Sequence, residues 1–204
     1  MKIVLLIGAY LFGSIPFGFL IGKMHGVDVR QYGSGNIGTS NVSRLLGTKA
    51  ALATLLGDGL KGLLPVLAAW MLLGRNDIWL IATGLAAIIG HNWSLYLKFR
   101  GGKGVTTTYG AYLAIAWLPG LLTIASWLIV TAVTKKSSLA ALSSSLLAPI
   151  FALTLGSSIA VVVFSILGTA MIYARHTENI KRILAGKETA LTKRIDVPND
   201  EKIP

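Results

Sequence analysis

The chain has 204 residues, of which 53% are hydrophobic and only 13% are charged. A soluble domain carries about a quarter charged residues, so this composition excludes a soluble globular fold and indicates a polytopic membrane protein. The lack of cysteine excludes disulfides, thiolate metal ligands and thiol nucleophiles. A net charge of +11 would suggest nucleic acid as the partner of a soluble protein. In a membrane protein, however, basic residues mark the cytoplasmic side, and we expect no nucleic-acid partner.

Apolar stretches recur along the chain at close to the length of a membrane span. They cover residues 3–22, 50–73, 78–97, 105–117, 119–134, 139–155 and 158–174. The sequence therefore predicts an all-α, polytopic integral membrane protein, a bundle of seven transmembrane helices with re-entrant or interfacial cytoplasmic loops. No basic segment beyond Lys2 and no A-x-A site accompany the first stretch, so we interpret it as a retained span and not a signal peptide. The turn signal at Pro119 and Gly120 favours two helices over one between residues 105 and 134.

Lysine and arginine are distributed unequally between the two sides of this bundle. Of the 19 such residues, Lys2 and Arg75 lie on one side, Lys61 lies within a span, and all the others lie on the opposite side. This bias predicts that the N-terminus is outside and that the C-terminus and the polar loops are inside. We expect a single transmembrane domain over residues 1–190, followed by a polar, frayed C-terminal tail over residues 191–204.

The most polar loop, residues 33–44, has the sequence GSGNIGTSNVSR. Its glycines let backbone N–H groups approach a ligand closely, and its hydroxyl, amide and guanidinium groups are suited to completing a cradle for a phosphate. The loop lacks the G-x-x-x-x-G-K-[ST] pattern, which excludes a Walker-type nucleotide site. The alternative interpretation is an ordinary turn followed by a helix that begins near Val42 and is capped by Ser40 and Asn41.

Two charged residues interrupt the second apolar stretch. Asp58 and Lys61 are spaced i, i+3 and therefore share one face of a helix. Each charge costs a few kcal/mol in the hydrocarbon region, so the two must pair or face a polar cavity. Two interpretations stand side by side: a structural ion pair that stabilises the bundle, or a pair in which Asp58 orients Lys61 or a loop residue at a binding site.

A second glycine-rich segment, Gly101-Gly102-Lys103-Gly104, precedes the fourth apolar stretch. A helix that begins after such a segment presents its N-terminal N–H groups together with a lysine, which is a favourable arrangement for an anion. His91 lies one to two turns earlier, deeper in the membrane. It is either a hydrogen-bonded core residue or a ligand, and the sequence does not separate these two interpretations.

Polar residues also mark the end of the last span. His176 and Asn179 are spaced i, i+3 and face the same membrane surface as the glycine-rich loops. A simple polar helix end is the alternative. Ser137 and Ser138 at the start of the sixth stretch are a weaker indication, because serine commonly caps helices. Four segments from different spans thus bring polar or cationic groups to one face.

Three of these segments, residues 33–44, 57–62 and 90–105, resemble the three motifs of the PlsY family, and residues 176–180 resemble its C-terminal H-x-x-N-I segment. The resemblance covers essentially the whole chain. PlsY proteins are bacterial membrane acyl-phosphate:glycerol-3-phosphate acyltransferases. The resemblance therefore implies transfer of a fatty acyl group from acyl phosphate to the 1-hydroxyl of sn-glycerol 3-phosphate, giving lysophosphatidic acid and phosphate for phospholipid biosynthesis. It also implies a location in the bacterial inner (plasma) membrane with the active site on the cytoplasmic side.

The resemblance implies roles for nine residues, and the position of Ser138 at the start of the sixth stretch adds a tenth. The expected catalytic residues are Ser34, Lys103 and His176. With Arg44 and Asn179, these residues are expected to hold the two phosphate groups. The remaining expected substrate-binding residues, of which the first four would shape the acyl-phosphate site, are Asn36, Gly38, Thr39, Asn41 and Ser138. We expect no cofactor, no metal and no obligate protein partner, and the expected partners are the two substrates and membrane lipids.

Two groups are candidates for the proton acceptor of such a reaction. The H-x-x-x-x-D dyad of other glycerolipid acyltransferases is absent, since Arg30, Tyr96 and Lys181 lie five residues after the three histidines. Either His176 or a substrate phosphate takes the proton, and we favour the phosphate.

Two other functions use similar cationic groups. A transporter of phosphate esters or organic anions is disfavoured because no inverted repeat is evident, and a phosphatase is disfavoured because Asp58 alone is too little for its chemistry.

Overall fold

A computed structural model describes residues 1–75 and 77–197 of the chain. Among these residues it contains α-helices, one short 3₁₀ helix (Leu95–Leu97) and no strand, which confirms the all-α prediction. The helices are α1 (Lys2–Gly13), α2 (Phe17–Met24), α3 (Thr39–Leu46), α4 (Thr48–Leu73), α5 (Asp77–Asn92), α6 (Val105–Ile115), α7 (Trp117–Thr134), α8 (Ser137–Thr154), α9 (Ile159–Arg175) and α10 (Thr177–Leu184).

Every predicted apolar stretch coincides with a helix or a pair of helices. Five elements of the described chain are long and apolar enough to cross a membrane: Lys2–Met24, Thr48–Leu73, Asp77–Leu97, Trp117–Thr134 and Ser137–Thr154. A sixth is formed if α9 and α10, which are bent by 68° relative to each other, count as one span. Helix α6 has 11 residues, or roughly 16 Å at 1.5 Å per residue, and so is shorter than the hydrocarbon core of a bilayer.

The first predicted span is broken between α1 and α2. Pro16 has no N–H to donate and disfavours a helical conformation of the residue before it, so α1 ends at Gly13 and α2 begins at Phe17. The break leaves backbone carbonyls without helical partners. The carbonyl of Ser14 accepts a bond from the Ser94 hydroxyl at 2.6 Å, and the carbonyl of Ile15 accepts one from the Lys61 ammonium at 2.7 Å.

The region 105–134 contains two helices, as the sequence predicts. The break lies at Ala116, whose extended backbone (φ −145°, ψ 90°) separates α6 from α7. It therefore precedes the predicted turn at Pro119 and Gly120 by a few residues. Pro119 lies within the first turn of α7, where a missing N–H removes no helical hydrogen bond.

Close packing of α4 on α6 brings the polar segments together. A side chain at Gly62 would collide with the backbone carbonyl of Thr107, and one at Gly110 would collide with that of Gly59. Small residues at such positions let membrane helices approach backbone to backbone. Farther from the loops, an apolar core including Val66, Ile88, Tyr112 and Phe164 joins α4, α5, α6 and α9.

The chain after α10 returns to the protein, and we call residues 187–195 the C-terminal strap. The N–H of Leu191 donates to the carbonyl of Lys135 at 2.7 Å, and the N–H of Ile195 donates to the carbonyl of Arg44 at 3.1 Å. The prediction of a frayed tail from residue 191 is therefore wrong for residues 191–195, because backbone partners elsewhere in the fold hold them. Residues 198–204 of the predicted tail lie outside the described residues.

Candidate active site

One cavity of about 380 Å³ opens among α3, α6, α8, α10 and the C-terminal strap. Its volume falls within the usual range for small-molecule sites. All ten residues predicted for the site line it: Ser34, Asn36, Gly38, Thr39, Asn41, Arg44, Lys103, Ser138, His176 and Asn179. The polar segments that are distant in sequence therefore converge in space.

Two asparagines fold the 33–44 loop that forms one wall. The side-chain oxygen of Asn41 accepts the Ser34 N–H at 3.0 Å, and its amide donates to the Val29 carbonyl at 2.8 Å. The side-chain oxygen of Asn36 accepts the Gly38 N–H at 2.9 Å. Asn36 and Asn41 thus engage in shaping the loop, which presents Ser34 and the start of α3 to the cavity.

Helix α3 starts earlier than the alternative interpretation of this loop requires. It begins at Thr39 with Gly38 as its N-cap, and no side chain caps it. The interpretation in which Ser40 and Asn41 cap a helix from Val42 is therefore wrong. The N-terminal turn of α3 instead lines the cavity through Thr39 and Ser40, where the partial positive charge of a helix N-terminus favours an anion.

Arg44 connects α3 to the C-terminal strap. Its Nε donates to the Ala190 carbonyl at 3.2 Å and its Nη2 donates to the Thr189 carbonyl at 2.9 Å. Burial lowers the pKa of the Arg44 guanidinium, while nearby Glu188 acts in the opposite direction. A guanidinium has five N–H donors and stays charged in proteins, so donors remain for an anion in the cavity.

Lys103 lies at the end of a chain of hydrogen bonds. Its ammonium donates to the side-chain oxygen of Asn179, and the Asn179 amide donates to Glu188 at 2.7 Å. Burial lowers the pKa of Lys103 to about 8, with Arg182 acting in the same direction and Glu188 opposing it. The ammonium is therefore the predominant form at neutral pH and is lost far more easily than that of an ordinary lysine.

Glu188 is the main site residue that sequence reasoning missed. Its carboxylate is 8% exposed and accepts bonds from Ser138 at 2.6 Å, from Asn179 at 2.7 Å and from Arg182 at 2.8 Å. Burial acts to raise the pKa of Glu188, but these three hydrogen bonds outweigh it and leave that pKa lowered. Nothing in the sequence around Glu188 indicated a site, although Arg182 continues the helical spacing of His176 and Asn179.

His176 lies between α9 and α10, with Nδ1 at 2.7 Å from the Ile172 carbonyl. This contact fits a tautomer with the proton on Nδ1. Burial lowers the pKa of His176 to about 4, and the Lys103 charge acts in the same direction. The imidazole is therefore neutral at physiological pH and a weak base.

The loop that carries Lys103 is held from two sides. Gly104 is the N-cap of α6, as the sequence predicts for a glycine segment opening a helix, and its φ of +78° favours glycine. Arg175 donates to the carbonyls of Gly101 and Gly102 at 3.1 and 3.0 Å. The sequence did not single out Arg175, although its two hydrogen bonds hold the loop.

Among residues 1–75 and 77–197, no group of three or more histidine or acidic side chains is placed to hold a metal ion. The apolar part of the cavity wall comes from Leu55, Val105, Trp127 and Ala141. The cavity thus combines cationic groups with an apolar wall, and this combination suits an amphipathic phosphate ester within a membrane.

This fold and site define an integral membrane protein with a cationic cavity suited to a phosphorylated ligand, and comparisons with known proteins specify the family. Residues 3–186 match the family model described as "Glycerol-3-phosphate acyltransferase". The chain is 43% identical over 188 residues to the glycerol-3-phosphate acyltransferase of Rubrobacter xylanophilus, covering 92% of this chain and 94% of the relative. It is 46% identical over 186 residues to that of Thioalkalivibrio sulfidiphilus, covering 90% and 91%.

Solved structures agree with the sequence relatives. The crystal structure of PlsY (YgiH), an integral membrane glycerol 3-phosphate acyltransferase, in its glycerol 3-phosphate form matches with a TM-score of 0.89 at 39% identity, covering 93% of this chain and 94% of that one. Its lysophosphatidic acid form matches with a TM-score of 0.87 at 38% identity, with the same coverage. The chain belongs to the glycerol-3-phosphate acyltransferase (PlsY) family.

Proposed function

We propose that the protein transfers a fatty acyl group from acyl phosphate to the 1-hydroxyl of sn-glycerol 3-phosphate, releasing lysophosphatidic acid and inorganic phosphate in phospholipid biosynthesis. The observation that carries this proposal is a cavity in which Arg44 and Lys103 lie beside an apolar wall. Both substrates carry a phosphate, and one also carries a fatty chain. The related PlsY crystal forms with glycerol 3-phosphate and lysophosphatidic acid support the acceptor and the product.

The chemistry needs positioning and charge stabilisation more than a protein nucleophile. Acyl phosphate is already activated, because phosphate is a good leaving group. In the proposed step, the 1-hydroxyl oxygen attacks the acyl carbon and the bond from that carbon to the phosphate oxygen breaks. Arg44 and Lys103 hold the phosphates, and Ser34 with the loop N–H groups binds the developing negative charge. Asn36, Gly38, Thr39 and Asn41 maintain the loop geometry, while Ser138 and Asn179 bind the polar end of a substrate.

The proton of the attacking hydroxyl passes to a phosphate oxygen of a substrate in this proposal. His176 is poorly suited to take it, because a pKa of about 4 makes it a weak base at neutral pH. A phosphate monoester has a second pKa of about 6, and its oxygens lie in the same cavity as the hydroxyl. His176 then orients substrate by hydrogen bonding. Near-wild-type kcat in His176→Gln would support this assignment, and a loss of about 100-fold or more would point to His176 as the base.

We propose a location in the bacterial inner membrane, with the N-terminus outside and the site on the cytoplasmic side. The support is the charge bias: the cavity is lined by the 33–44 loop, the Lys103 loop and α10, which are segments that positive-inside sorting places in the cytoplasm. Glycerol 3-phosphate, a charged metabolite, is accessible from that side.

The test is an assay of the purified protein in lipid nanodiscs with palmitoyl phosphate and labelled glycerol 3-phosphate, without CoA or metal. We expect labelled lysophosphatidic acid, lost in Lys103→Ala and in Arg44→Ala. Lys49→Ala is the matched control, since Lys49 is an exposed cation near the loop that does not line the cavity. It should retain wild-type activity.

Other outcomes of this assay separate the alternatives. Product from palmitoyl-CoA but not from palmitoyl phosphate would overturn the proposed donor. Phosphate release without glycerol 3-phosphate, and without acyl transfer, would indicate a phosphatase. Flux of glycerol 3-phosphate into liposomes, with no lysophosphatidic acid formed from either donor, would indicate a transporter.

A further inference from the structure

A buried charged pair lies beside the cavity, and no step of the proposed reaction uses it. Asp58 and Lys61 in α4 are 2% and 0% exposed. The Lys61 ammonium lies 2.7 Å from Oδ1 of Asp58 and also donates to the Ile15 carbonyl. Apolar residues of similar volume often replace a buried ion pair without loss of stability, so bundle packing alone gives a weak reason for this pair.

His91 connects the pair to the loop that carries Lys103. The imidazole is 4% exposed, and its Nδ1 lies 3.7 Å from Oδ1 of Asp58. On the other side of the ring, Nε2 lies against Gly102 so closely that a side chain at position 102 would collide with it. The Gly102 N–H also donates to the His91 carbonyl at 3.0 Å. The ring therefore lies between a carboxylate and a loop backbone, and its Nδ1 has no hydrogen-bond partner among the described residues.

The loop has little room to shift away from this ring. A side chain at Gly101 would collide with the His91 carbonyl, and Arg175 donates to the carbonyls of Gly101 and Gly102. Lys103 follows directly in the chain. Asp58, His91 and Lys103 all line the same cavity, and the ring contacts the loop at the residue directly before Lys103.

We propose that His91, which lies against the Asp58–Lys61 pair, is a positioning residue that sets the place of the Lys103 ammonium through its contact with Gly102. The inference rests on the function proposed above, because Lys103 matters in that reaction. It assigns to the pair the second of the two roles that the sequence left open. Lys61 compensates the Asp58 carboxylate, Asp58 faces the imidazole, and the imidazole supports the loop.

A double-mutant cycle tests the contact. Gly102→Ala pushes its new methyl group against the His91 ring, and a misplacement of about 1 Å costs about 100-fold in rate. His91→Ala removes the ring and its support, and should lower kcat by a similar factor. Because both changes act on the same contact, the double variant should lose no more than the worse single variant. Losses that multiply would show independent roles and overturn the proposal.

The shape of position 91 gives a second readout. In His91→Gln the amide reaches about as far as Nε2 and can still contact Gly102, whereas in His91→Asn it reaches only about as far as Nδ1. We expect His91→Gln to retain at least tenfold more activity than His91→Asn. Equal activities, with both variants folded as judged by thermal unfolding, would contradict a role exerted through Gly102.

A third variant separates positioning from stability. Asp58→Asn combined with Lys61→Met removes both charges without leaving one unpaired, and the Ile15 carbonyl keeps a backbone N–H donor at 3.2 Å, so the bundle should remain folded. The proposal predicts a fall in kcat at a nearly unchanged unfolding temperature, and wild-type kcat would overturn it. Gly59→Ala is the matched control beside Asp58, because its methyl group makes only an ordinary contact with Thr106 at 3.6 Å. It should behave as wild type.

Failure of this inference can be distinguished from failure of the proposed function. If wild-type protein forms no lysophosphatidic acid from palmitoyl phosphate, the donor assignment fails. The same variants can then be compared by their affinity for glycerol 3-phosphate, which reports the placement of Lys103 without acyl transfer. Unchanged affinity in both Gly102→Ala and His91→Ala would overturn the inference on its own.

Discussion

The side-chain amide of Asn179 donates to the Glu188 carboxylate at 2.7 Å, and this bond joins α10 to the C-terminal strap inside the cavity. The carboxylate receives two further bonds, from Ser138 and Arg182. Three elements of the site, α8, α10 and the strap, thus depend on one anion. Glu188 holds in place the residues that surround Lys103, although it is itself an acid in a site for anions.

We therefore expect Glu188→Gln to impair the enzyme although the side chain keeps its size. The amide has one acceptor oxygen where the carboxylate has two, so at least one of the three donors loses its partner. Hydrogen bonds to charged groups contribute about 1.5–3 kcal/mol each, which corresponds to a loss of about 10–100-fold in kcat/KM for glycerol 3-phosphate. The measurement is steady-state kinetics in nanodiscs.

Glu178→Gln is the control for this substitution. Glu178 also lies on α10, but it is exposed and pairs with exposed Lys181. Its loss should leave kcat/KM within about twofold of wild type, because exposed ion pairs contribute little. Wild-type kinetics for Glu188→Gln would show that the carboxylate charge does not hold the site together.

The lowered pKa of Lys103 predicts how activity responds to alkaline pH. With a pKa of about 8 in the free enzyme, the ammonium that binds phosphate is lost as pH rises through that value. We expect kcat/KM to fall tenfold per pH unit above about pH 8, because kcat/KM follows the ionisation of the free enzyme. The stability of the fold should change in the opposite direction. Between pH 8 and 10.5 the unfolded chain keeps a proton on Lys103 that the folded protein has lost, so the free energy of unfolding rises with pH.

Lys103→Arg provides the check on this assignment. Arginine does not deprotonate in this range, so whatever activity the variant keeps should lack the descending limb near pH 8. Lys49→Ala should retain the limb. If Lys103→Arg shows the same alkaline fall as wild type, another group is responsible for it.

Arg44 should control whether the C-terminal strap stays in place. Its two bonds to the Thr189 and Ala190 carbonyls are absent in Arg44→Ala. We expect trypsin to cleave after Lys187 or Lys193 faster in this variant than in wild type, because proteolysis follows the population of the open form. Lys49→Ala should be cleaved at the wild-type rate. Identical cleavage in Arg44→Ala would mean that the other backbone bonds of the strap suffice.

The sequence predicted the site residues that stand out against an apolar background. Polar and charged groups are expensive in a membrane protein, so Arg44, Lys103 and Asn179 were conspicuous, and helical spacing placed His176 on the same face as Asn179. Proline and glycine likewise indicated two helices between residues 105 and 134. These features are local, and a local pattern is what sequence reasoning detects.

The sequence did not predict the C-terminal strap, because the contacts that hold the strap in place are with residues distant in the chain. Glu188 is bound by Ser138, 50 residues earlier in the chain, and Leu191 by the carbonyl of Lys135. Neither residue lies in a periodic pattern, and a polar segment near a terminus ordinarily frays. Asn41 was expected to shape the site, but its bonds to Ser34 and Val29 are contacts that composition does not reveal.

The backbone contact of α4 with α6 gives a prediction about stability. Gly62→Ala places a methyl group against the Thr107 carbonyl, and a backbone atom cannot rotate away as a side chain can. Forcing these helices apart should lower the free energy of unfolding by about 1–3 kcal/mol, the usual cost of overpacking. Thermal or denaturant unfolding in detergent measures the change.

Gly8→Ala in α1 is the control, because nothing lies within 4 Å of a side chain there. This substitution should be neutral or slightly stabilising, since alanine favours a helix more than glycine does. An equal effect of the two substitutions would show that α4 and α6 tolerate separation at this point.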